Sequence, residues 1–92
     1  MIRSFKCQYT EALSQGHHVT QFLNIAKVAR RKLRQLEIAN RLDDLRVPPG
    51  NHLEALKCDR SGQYGIRIND QWRVCFRWAD GGAENVEIID YH

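Results

Sequence analysis

The segment QYGIRINDQWRVCFRW, residues 63–78, decides the fold, because two alternating apolar runs flank a short polar loop. The apolar side chains take the even-numbered positions on both sides of Asn69-Asp70-Gln71, which predicts two antiparallel strands joined as a hairpin. Both apolar sets must face one core, so directly opposed residues must have numbers with an even sum. A three-residue loop with Ile68 opposite Trp72 gives a sum of 140, whereas a two-residue loop would turn the apolar side chains to water.

This register has a consequence for charge, because it places Arg67 directly opposite Arg73. Like charges in that position destabilise a strand pair by up to about 1 kcal/mol. One interpretation is that the two guanidinium groups splay into solvent or meet carboxylates from elsewhere. The other is that they await a polyanion, which would remove the repulsion and use both planar forks.

Three further cations favour the polyanion. Lys57 and Arg60 lie just before the hairpin, and the same register places Arg77 opposite Gln63. Arginines and a lysine gathered on one sheet face can bind RNA phosphates and can also stabilise a pentacovalent phosphorane.

The rest of the chain predicts an α+β domain, with an N-terminal strand and helices packed on a mainly antiparallel sheet. Thr10 is a candidate N-cap for a short helix that Gly16 ends, and an apolar stripe predicts a longer helix over residues 20–40. Leu42 to Arg46 can add one more turn before Pro48-Pro49-Gly50. The predicted strands cover residues 2–5, 52–57, 63–68, 72–78 and 84–89.

Composition fits one small domain, residues 1–92, acting in the cytoplasm. The 92 residues carry a net charge of +3, and ten of the fourteen basic residues are arginine, which suits phosphate recognition. Three cysteines without a C-x-x-C spacing indicate reduced thiols rather than a disulfide framework. No secretory segment or apolar run of membrane length is visible, and His17-His18 lack a third ligand, so no metal or other cofactor is predicted.

The tail Asp90-Tyr91-His92 combines an acid, a phenol and an imidazole directly after a predicted strand. A carboxylate beside a histidine tends to raise its pKa, which keeps the ring able to exchange protons near neutrality. His92 is therefore either a frayed end or a general acid/base. His52 and Glu54, two residues apart in a predicted strand, are a second candidate source of a base.

Several segments together resemble one family. They are residues 46–51 (RVPPGN), Leu53 to Lys57, the hairpin from Gly62 to Arg73, and the ending VEIIDYH, and the opening MIRSF is also similar. The chain resembles HigB-type toxins of the RelE superfamily over essentially its whole length. That resemblance implies a RelE-like microbial RNase fold and the toxin half of a type II toxin–antitoxin pair.

The resemblance also implies an activity, which is ribosome-dependent cleavage of mRNA in the A site. In this activity the ribose 2′-hydroxyl attacks the adjacent phosphodiester and leaves a 2′,3′-cyclic phosphate. Carried onto this sequence, Lys57 and Arg73 would stabilise the phosphorane, and His92 and Tyr91 would serve acid/base and base-stacking roles, with Asp90 supporting them. Substrate contacts would come from Arg60, Arg67 and Gln71.

The implied partner is a HigA-type helix-turn-helix antitoxin, and operator DNA would be bound only through the toxin–antitoxin complex, with no membrane partner. Two departures from the family pattern stand out. Glu54 occupies a position where some members have histidine, so the base is Glu54, nearby His52 or neither. Cys58 stands where a glycine is common after Lys57, and a positive φ there would strain the turn. The alternative function is a non-catalytic RNA- or ribosome-binding module that uses the same basic face.

Overall fold

The computed structural model describes residues 1–90 of the chain. For Cys58 it describes the backbone only. Four strands form one antiparallel sheet in the order β1-β2-β3-β4. They are β1 (Glu54–Ala55), β2 (Tyr64–Arg67), β3 (Trp72–Ala79) and β4 (Gly82–Asp90). Two helices, α1 (Gln8–Ser14) and α2 (Ala26–Ile38), pack on one face of this sheet. The predicted α+β architecture is confirmed.

The hairpin has the predicted register. In the pairing of β2 with β3, Ile66 lies opposite Val74 and Arg67 lies opposite Arg73. The loop is closed by Asn69, whose side-chain oxygen accepts hydrogen bonds from the backbone nitrogens of Gln71 and Trp72, both at 2.8 Å. The even-numbered face of the hairpin is therefore turned to the core and the odd-numbered face is turned away from the helices.

The core lies between the helices and the even-numbered face of the hairpin. Its fully buried members include Leu13, Leu36, Ile66, Val74, Phe76 and Val86. Trp72 packs against this core with its ring edge-on to Phe22, at 5.8 Å between ring centroids and 88° between ring planes. The prediction that the tryptophans belong to the core is confirmed, since Trp78 also packs against it.

The predicted helix over residues 20–40 is two elements. Thr20–Phe22 form a 3₁₀ turn, and α2 begins only at Ala26 because Ile25 has non-helical angles (φ −119°, ψ 0°). Val19, Phe22 and Ile25 are all buried, and their three-residue spacing matches the period of a 3₁₀ turn as well as an α-helical stripe. No helix within residues 1–90 is long and apolar enough to cross a bilayer.

Thr10 is not a helix cap, so that prediction is wrong. Helix α1 starts before it, at Gln8, and Thr10 is completely buried. Its hydroxyl accepts a hydrogen bond from the backbone nitrogen of Ile88 at 3.0 Å, so the side chain joins the helix to the edge of β4. Gly16 follows the end of α1 with φ +89°, as predicted.

The N-terminal segment joins the same edge of the sheet. The predicted strand over residues 2–5 is reduced to two isolated parallel bridges, between Ile2 and Ala83 and between Phe5 and Val86. The carboxylate of Glu37 accepts a hydrogen bond from the backbone nitrogen of Ile2 at 3.0 Å. These contacts cover the outer edge of β4 and tie it to α2.

A buried polar network holds the connection that leads into β1. The ammonium group of Lys32 donates to the Asn51 side-chain oxygen at 2.5 Å. The Asn51 amide group donates to the Gln35 side chain at 2.8 Å and to the Leu45 carbonyl at 3.0 Å. Burial, and secondarily the charge of Arg31, lowers the pKa of Lys32. This network fixes the start of the segment that carries Glu54 and Lys57.

Candidate functional site

The sheet face that points away from the helices, here called the open face, carries the charged side chains. Glu54 of β1 lies opposite Gly65 of β2, Gly65 lies opposite Cys75 of β3, and Cys75 lies opposite Glu87 of β4. Leu56 packs over Gly65, where an added Cβ would meet its Cδ2 atom at 3.4 Å. The centre of the open face is thus a small apolar floor flanked by two acids.

The next row of the open face carries the arginine pair. Arg67 and Arg73 are directly opposed, and Arg73 is in turn opposite Ile89 of β4. Arg67 donates through Nη2 to the carboxylate of Asp70, and Arg73 donates through Nη1 to the carbonyls of Asn69 and of Trp72.

Both guanidinium groups are therefore held towards the hairpin loop. The first interpretation of the pair is that both guanidinium groups splay into solvent or meet carboxylates from elsewhere. Arg67 does meet a carboxylate, but it is that of Asp70 in the hairpin loop itself. Its partner Asp70 has a side chain that is 97% exposed, so the ion pair lies in water and contributes little to stability. An incoming phosphate can replace such a carboxylate at small cost, so this contact is compatible with anion binding.

Arg60 reaches the open face from a 3₁₀ turn, Cys58–Arg60, between β1 and β2, and Lys57 directly precedes this turn. The Arg60 backbone nitrogen donates to the Lys57 carbonyl at 3.2 Å, and the Gln63 backbone nitrogen donates to the Arg60 carbonyl at 3.0 Å. A 3₁₀ turn has negative φ angles that any residue can adopt, so the strain considered for Cys58 does not arise from this backbone. Lys57 is exposed to solvent.

At the end of the hairpin the structure brings two predicted site residues together. The side chain of Gln71 donates to the carboxylate of Asp90 at 3.0 Å. Asp90 lies opposite Trp72 and is the last residue of β4. Tyr91 and His92 lie outside the described residues, so their predicted roles stay predictions.

Two other candidates lie apart from this arrangement. His52 does not share a strand face with Glu54, so that prediction is wrong: β1 begins only at Glu54 and His52 has a left-handed backbone (φ 46°, ψ 53°). Arg77 is exposed and lies across Gly62, where a Cβ would come within 2.8 Å of its Nη1 atom. It is four residues from Arg73 along β3, roughly 13 Å at the rise of a strand.

Sequence reasoning missed Glu87 and Lys6 as members of this face. The Glu87 carboxylate lies 3.3 Å from Nη1 of Arg60 and 3.5 Å from the Lys6 ammonium group. The parity of Glu87 with Ile89 along β4 was a usable signal for the face. The approach of Arg60 across β3 had no signal in the sequence, because it depends on the path of the 3₁₀ turn.

Comparison with known proteins identifies the family. Residues 4–92 match the family model of HigB-like toxins, described as RelE-like toxins of the type II toxin–antitoxin system HigB. The chain belongs to the HigB-like toxin family. The resemblance predicted from the hairpin and the tail is therefore confirmed.

Individual relatives agree with this assignment. The HigB-like chain is 47% identical over 62 residues to Toxin HigB-1 of Vibrio cholerae serotype O1, a match that covers 67% of this chain and 64% of that protein. This chain therefore spans slightly less than two thirds of the length of Toxin HigB-1. An uncharacterized protein of Haemophilus influenzae is 36% identical over 69 residues, covering 75% of this chain and 67% of that protein.

Solved structures share the fold of the HigB-like chain. YafQ from Escherichia coli superposes with a TM-score of 0.57 at 15% identity, covering 98% of this chain and 93% of that one. A chain of the YoeB–YefM complex from Staphylococcus aureus gives a TM-score of 0.55 at 20% identity, covering 100% of this chain and 98% of that one. At these identities the likeness shows the RelE-like fold alone.

Proposed function

We propose that this chain is the toxin of a type II toxin–antitoxin pair and an endoribonuclease that cleaves mRNA in the ribosomal A site. The observation that carries the proposal is the pairing of Arg67 directly opposite Arg73 on the open face. Two guanidinium groups directly across a strand pair repel each other and destabilise the pairing. A phosphate that binds both groups removes this repulsion and gains charge-assisted hydrogen bonds from each. Arg60, on the turn between β1 and β2, and Lys57, which precedes that turn, add further cations to this part of the chain.

The reaction needs a base, an acid and a means to stabilise negative charge. A base takes the proton of the ribose 2′-hydroxyl, the 2′-oxygen bonds to the adjacent phosphorus, and the bond from phosphorus to the 5′-oxygen breaks. An acid protonates that 5′-oxygen, and a 2′,3′-cyclic phosphate remains. Lys57 and Arg73 stabilise the charge of the phosphorane by preorganised hydrogen bonds, a contribution often worth 10²–10³ in rate per donor.

The proton carriers are assigned from the family pattern. His92 acts as acid or base, Tyr91 stacks on a base or transfers a proton, and Asp90 supports them both. The base that activates the 2′-hydroxyl is Glu54 or His52. Glu54 has the stronger support, because it belongs to β1 and lies in the row of Gly65, Cys75 and Glu87 on the open face.

Ribosome dependence is the part of the proposal that the family pattern implies. The ribosome would hold the RNA in line for attack against the open face, and such positioning can lower the barrier substantially. RNA contacts are assigned to Arg60, Arg67, Gln71, Arg77 and His52, and no cofactor is proposed. The site of action is then the cytoplasm.

The proposed partner is a HigA-type helix-turn-helix antitoxin, and operator DNA is bound only through that complex. The YoeB–YefM complex is an assembly of a neighbour with the same fold and motivates this assignment. Co-expression with a helix-turn-helix protein encoded next to the gene tests it. A soluble complex and restored growth are expected, and growth arrest that persists despite expression of that protein would contradict it.

The experiment for the nuclease is primer extension on mRNA translated by purified ribosomes. The wild-type chain should produce discrete cuts within codons, and His92→Ala should abolish them while ribosome binding and its salt dependence remain. Naked transcripts should be cut poorly. If the wild-type chain binds ribosomes and leaves no cut, the alternative of a non-catalytic RNA- or ribosome-binding module is the better description.

A further inference from the structure

Glu87 and Glu54 are the two acids of the central row of the open face, and Glu87 is the one that contacts the cations. Its side chain is only 14% exposed, and one carboxylate oxygen contacts both Arg60 and Lys6, at 3.3 and 3.5 Å. A negative charge there weakens phosphate binding by the whole face. An anion-binding surface gains nothing from such a group unless the group performs another task.

The contacts of Arg60 indicate that task. Nη1 of Arg60 bonds both the Glu87 carboxylate and the side-chain oxygen of Gln63, each at 3.3 Å. Arg60 ends the 3₁₀ turn that follows Lys57, whereas Glu87 lies on β4, the far strand of the sheet. The guanidinium group thus crosses β3 and joins the turn to the most extensively paired part of the sheet.

We infer that Glu87 is a positioning residue, which holds the Cys58–Arg60 turn against the open face so that Arg60 and the preceding Lys57 meet the same phosphodiester. This inference rests on the proposed nuclease function and adds a residue that the family pattern did not supply. The two 3.3 Å contacts are longer than the 2.7–2.9 Å typical of tight charge-assisted bonds, so they hold Arg60 in place without fully satisfying it.

The environment of Cys75 is consistent with the inference. This thiol is completely buried beneath the cluster, and burial is the main reason why its pKa rises to about 11. The positive charges of Arg60 and Arg73 lower the pKa of this thiol, whereas the negative charges of Glu87 and Glu54 raise it. The two arginines and the two acids therefore surround one point of the sheet and form a single electrostatic cluster.

The inference predicts an unusual combination of effects. Removing the charge of Glu87 strengthens binding of RNA, because the face loses one of its two acids and its net positive charge rises. The same change slows cleavage, because the turn loses its tether. A residue that only stabilised the fold would lower stability without moving affinity and cleavage in opposite directions.

The experiment compares Glu87→Ala and Glu87→Gln with Glu84→Gln. Glu84 also lies on β4 and also forms an ion pair, at 3.6 Å, but its partner Arg3 belongs to the N-terminal segment and not to the turn. The three measurements are binding of a short single-stranded RNA, single-turnover cleavage on programmed ribosomes, and amide hydrogen exchange at Arg60 and Gln63.

Both Glu87 variants should bind RNA severalfold more tightly. Glu87→Ala should cleave roughly ten- to a hundredfold more slowly. Exchange at the Arg60 and Gln63 amides should accelerate, while the amide of Val74 stays protected. Glu87→Gln, which keeps an acceptor oxygen, should fall between the wild type and Glu87→Ala in cleavage and exchange. Glu84→Gln should leave cleavage and the turn's exchange unchanged.

Unaltered exchange in the turn of Glu87→Ala would overturn the positioning role, whatever the cleavage result. So would equal losses of cleavage in the Glu87→Ala and Glu84→Gln variants. A wild-type chain that cleaves no RNA would instead remove the proposed function. The exchange comparison would then still decide whether Glu87 holds the turn.

Discussion

Replacing Arg67 separates the two interpretations of the opposed arginines, and the chain offers a matched control in Arg46. Each arginine forms an ion pair with an aspartate three residues away, Arg67 with Asp70 and Arg46 with Asp43. Each change to glutamine removes one positive charge and one such pair. Only Arg67 lies on the open face, because Arg46 ends the turn that precedes Pro48.

The expected effect on stability is small for both variants. Loss of an exposed ion pair costs up to about 1 kcal/mol. In Arg67→Gln that cost is offset by relief of the opposition to Arg73, which is itself worth up to about 1 kcal/mol. Urea unfolding should therefore give free energies of unfolding within about 1 kcal/mol of the wild type for both.

The expected effect on RNA binding differs between them. A charge-assisted hydrogen bond contributes roughly 1.5–3 kcal/mol, so Arg67→Gln should weaken binding of single-stranded RNA by roughly ten- to a hundredfold. The slope of log affinity against log salt should fall by about 0.7 for the lost phosphate contact. Fluorescence anisotropy over a salt series measures both quantities. Equal weakening in Arg46→Gln, or an unchanged slope in Arg67→Gln, would refute the assignment of this pair to phosphate.

Three further outcomes are expected. Asn51→Ala should lower the free energy of unfolding in urea by about 2–5 kcal/mol, because it leaves the buried ammonium group of Lys32 without its acceptor; a loss under 1 kcal/mol would mean that the network is dispensable. The pKa of Cys75 is raised from 9.0 to about 11, so its contribution to stability is present below pH 9 and lost as pH rises towards 11. That loss amounts to roughly 2–3 kcal/mol at 1.36 kcal/mol per pH unit, and Cys75→Ala should show a flatter decline of stability over the same range. In cleavage assays Glu54→Gln should reduce the rate more than His52→Gln, because only Glu54 lies in β1 on the open face; the reverse order would assign the base to His52.

The sequence was sufficient for the hairpin because strand parity leaves few alternatives. Two even-numbered apolar runs require an even sum of opposed residue numbers, and the shortest loop that satisfies this closes Ile68 against Trp72. The opposition of Arg67 to Arg73 follows from that register. The family segments then supplied the fold. These parts were predictable because local pattern and tertiary packing favour the same structure.

The start of α2 and the role of Thr10 could not be predicted, because in each case the local sequence fits two different structures. The spacing of Phe22 and Ile25 fits a 3₁₀ turn and an α-helix equally well, so the break before α2 was missed. Thr10 has a side chain suited to a helix cap, but its burial against Ile88 decided its role. Such contacts between elements distant in sequence leave no mark on local periodicity.

Only part of the candidate site could be predicted, because some of its contacts also join elements that are distant in sequence. Pairing across the hairpin could be derived, but pairing of β3 with β4 could not. Its register shifts between Cys75 and Arg77, and Asn85 takes a positive φ of 54° nearby. A bulge changes which side chains share a face. Glu87 lies on the regular side of this bulge, opposite Cys75, so its face could be inferred from parity; its contact with Arg60 depends on the path of the Cys58–Arg60 turn and became visible only in the structure.

The chemistry of the cut end tests the central claim most directly. Purified ribosomes programmed with an mRNA that carries a single 2′-deoxynucleotide at the mapped cleavage position are compared with the all-ribose mRNA. The account predicts that the all-ribose message is cut to a 2′,3′-cyclic phosphate, identified by mass spectrometry, and that the single deoxy substitution abolishes the cut at that position. Cleavage of the deoxy-substituted message at the same bond would contradict attack by the 2′-hydroxyl.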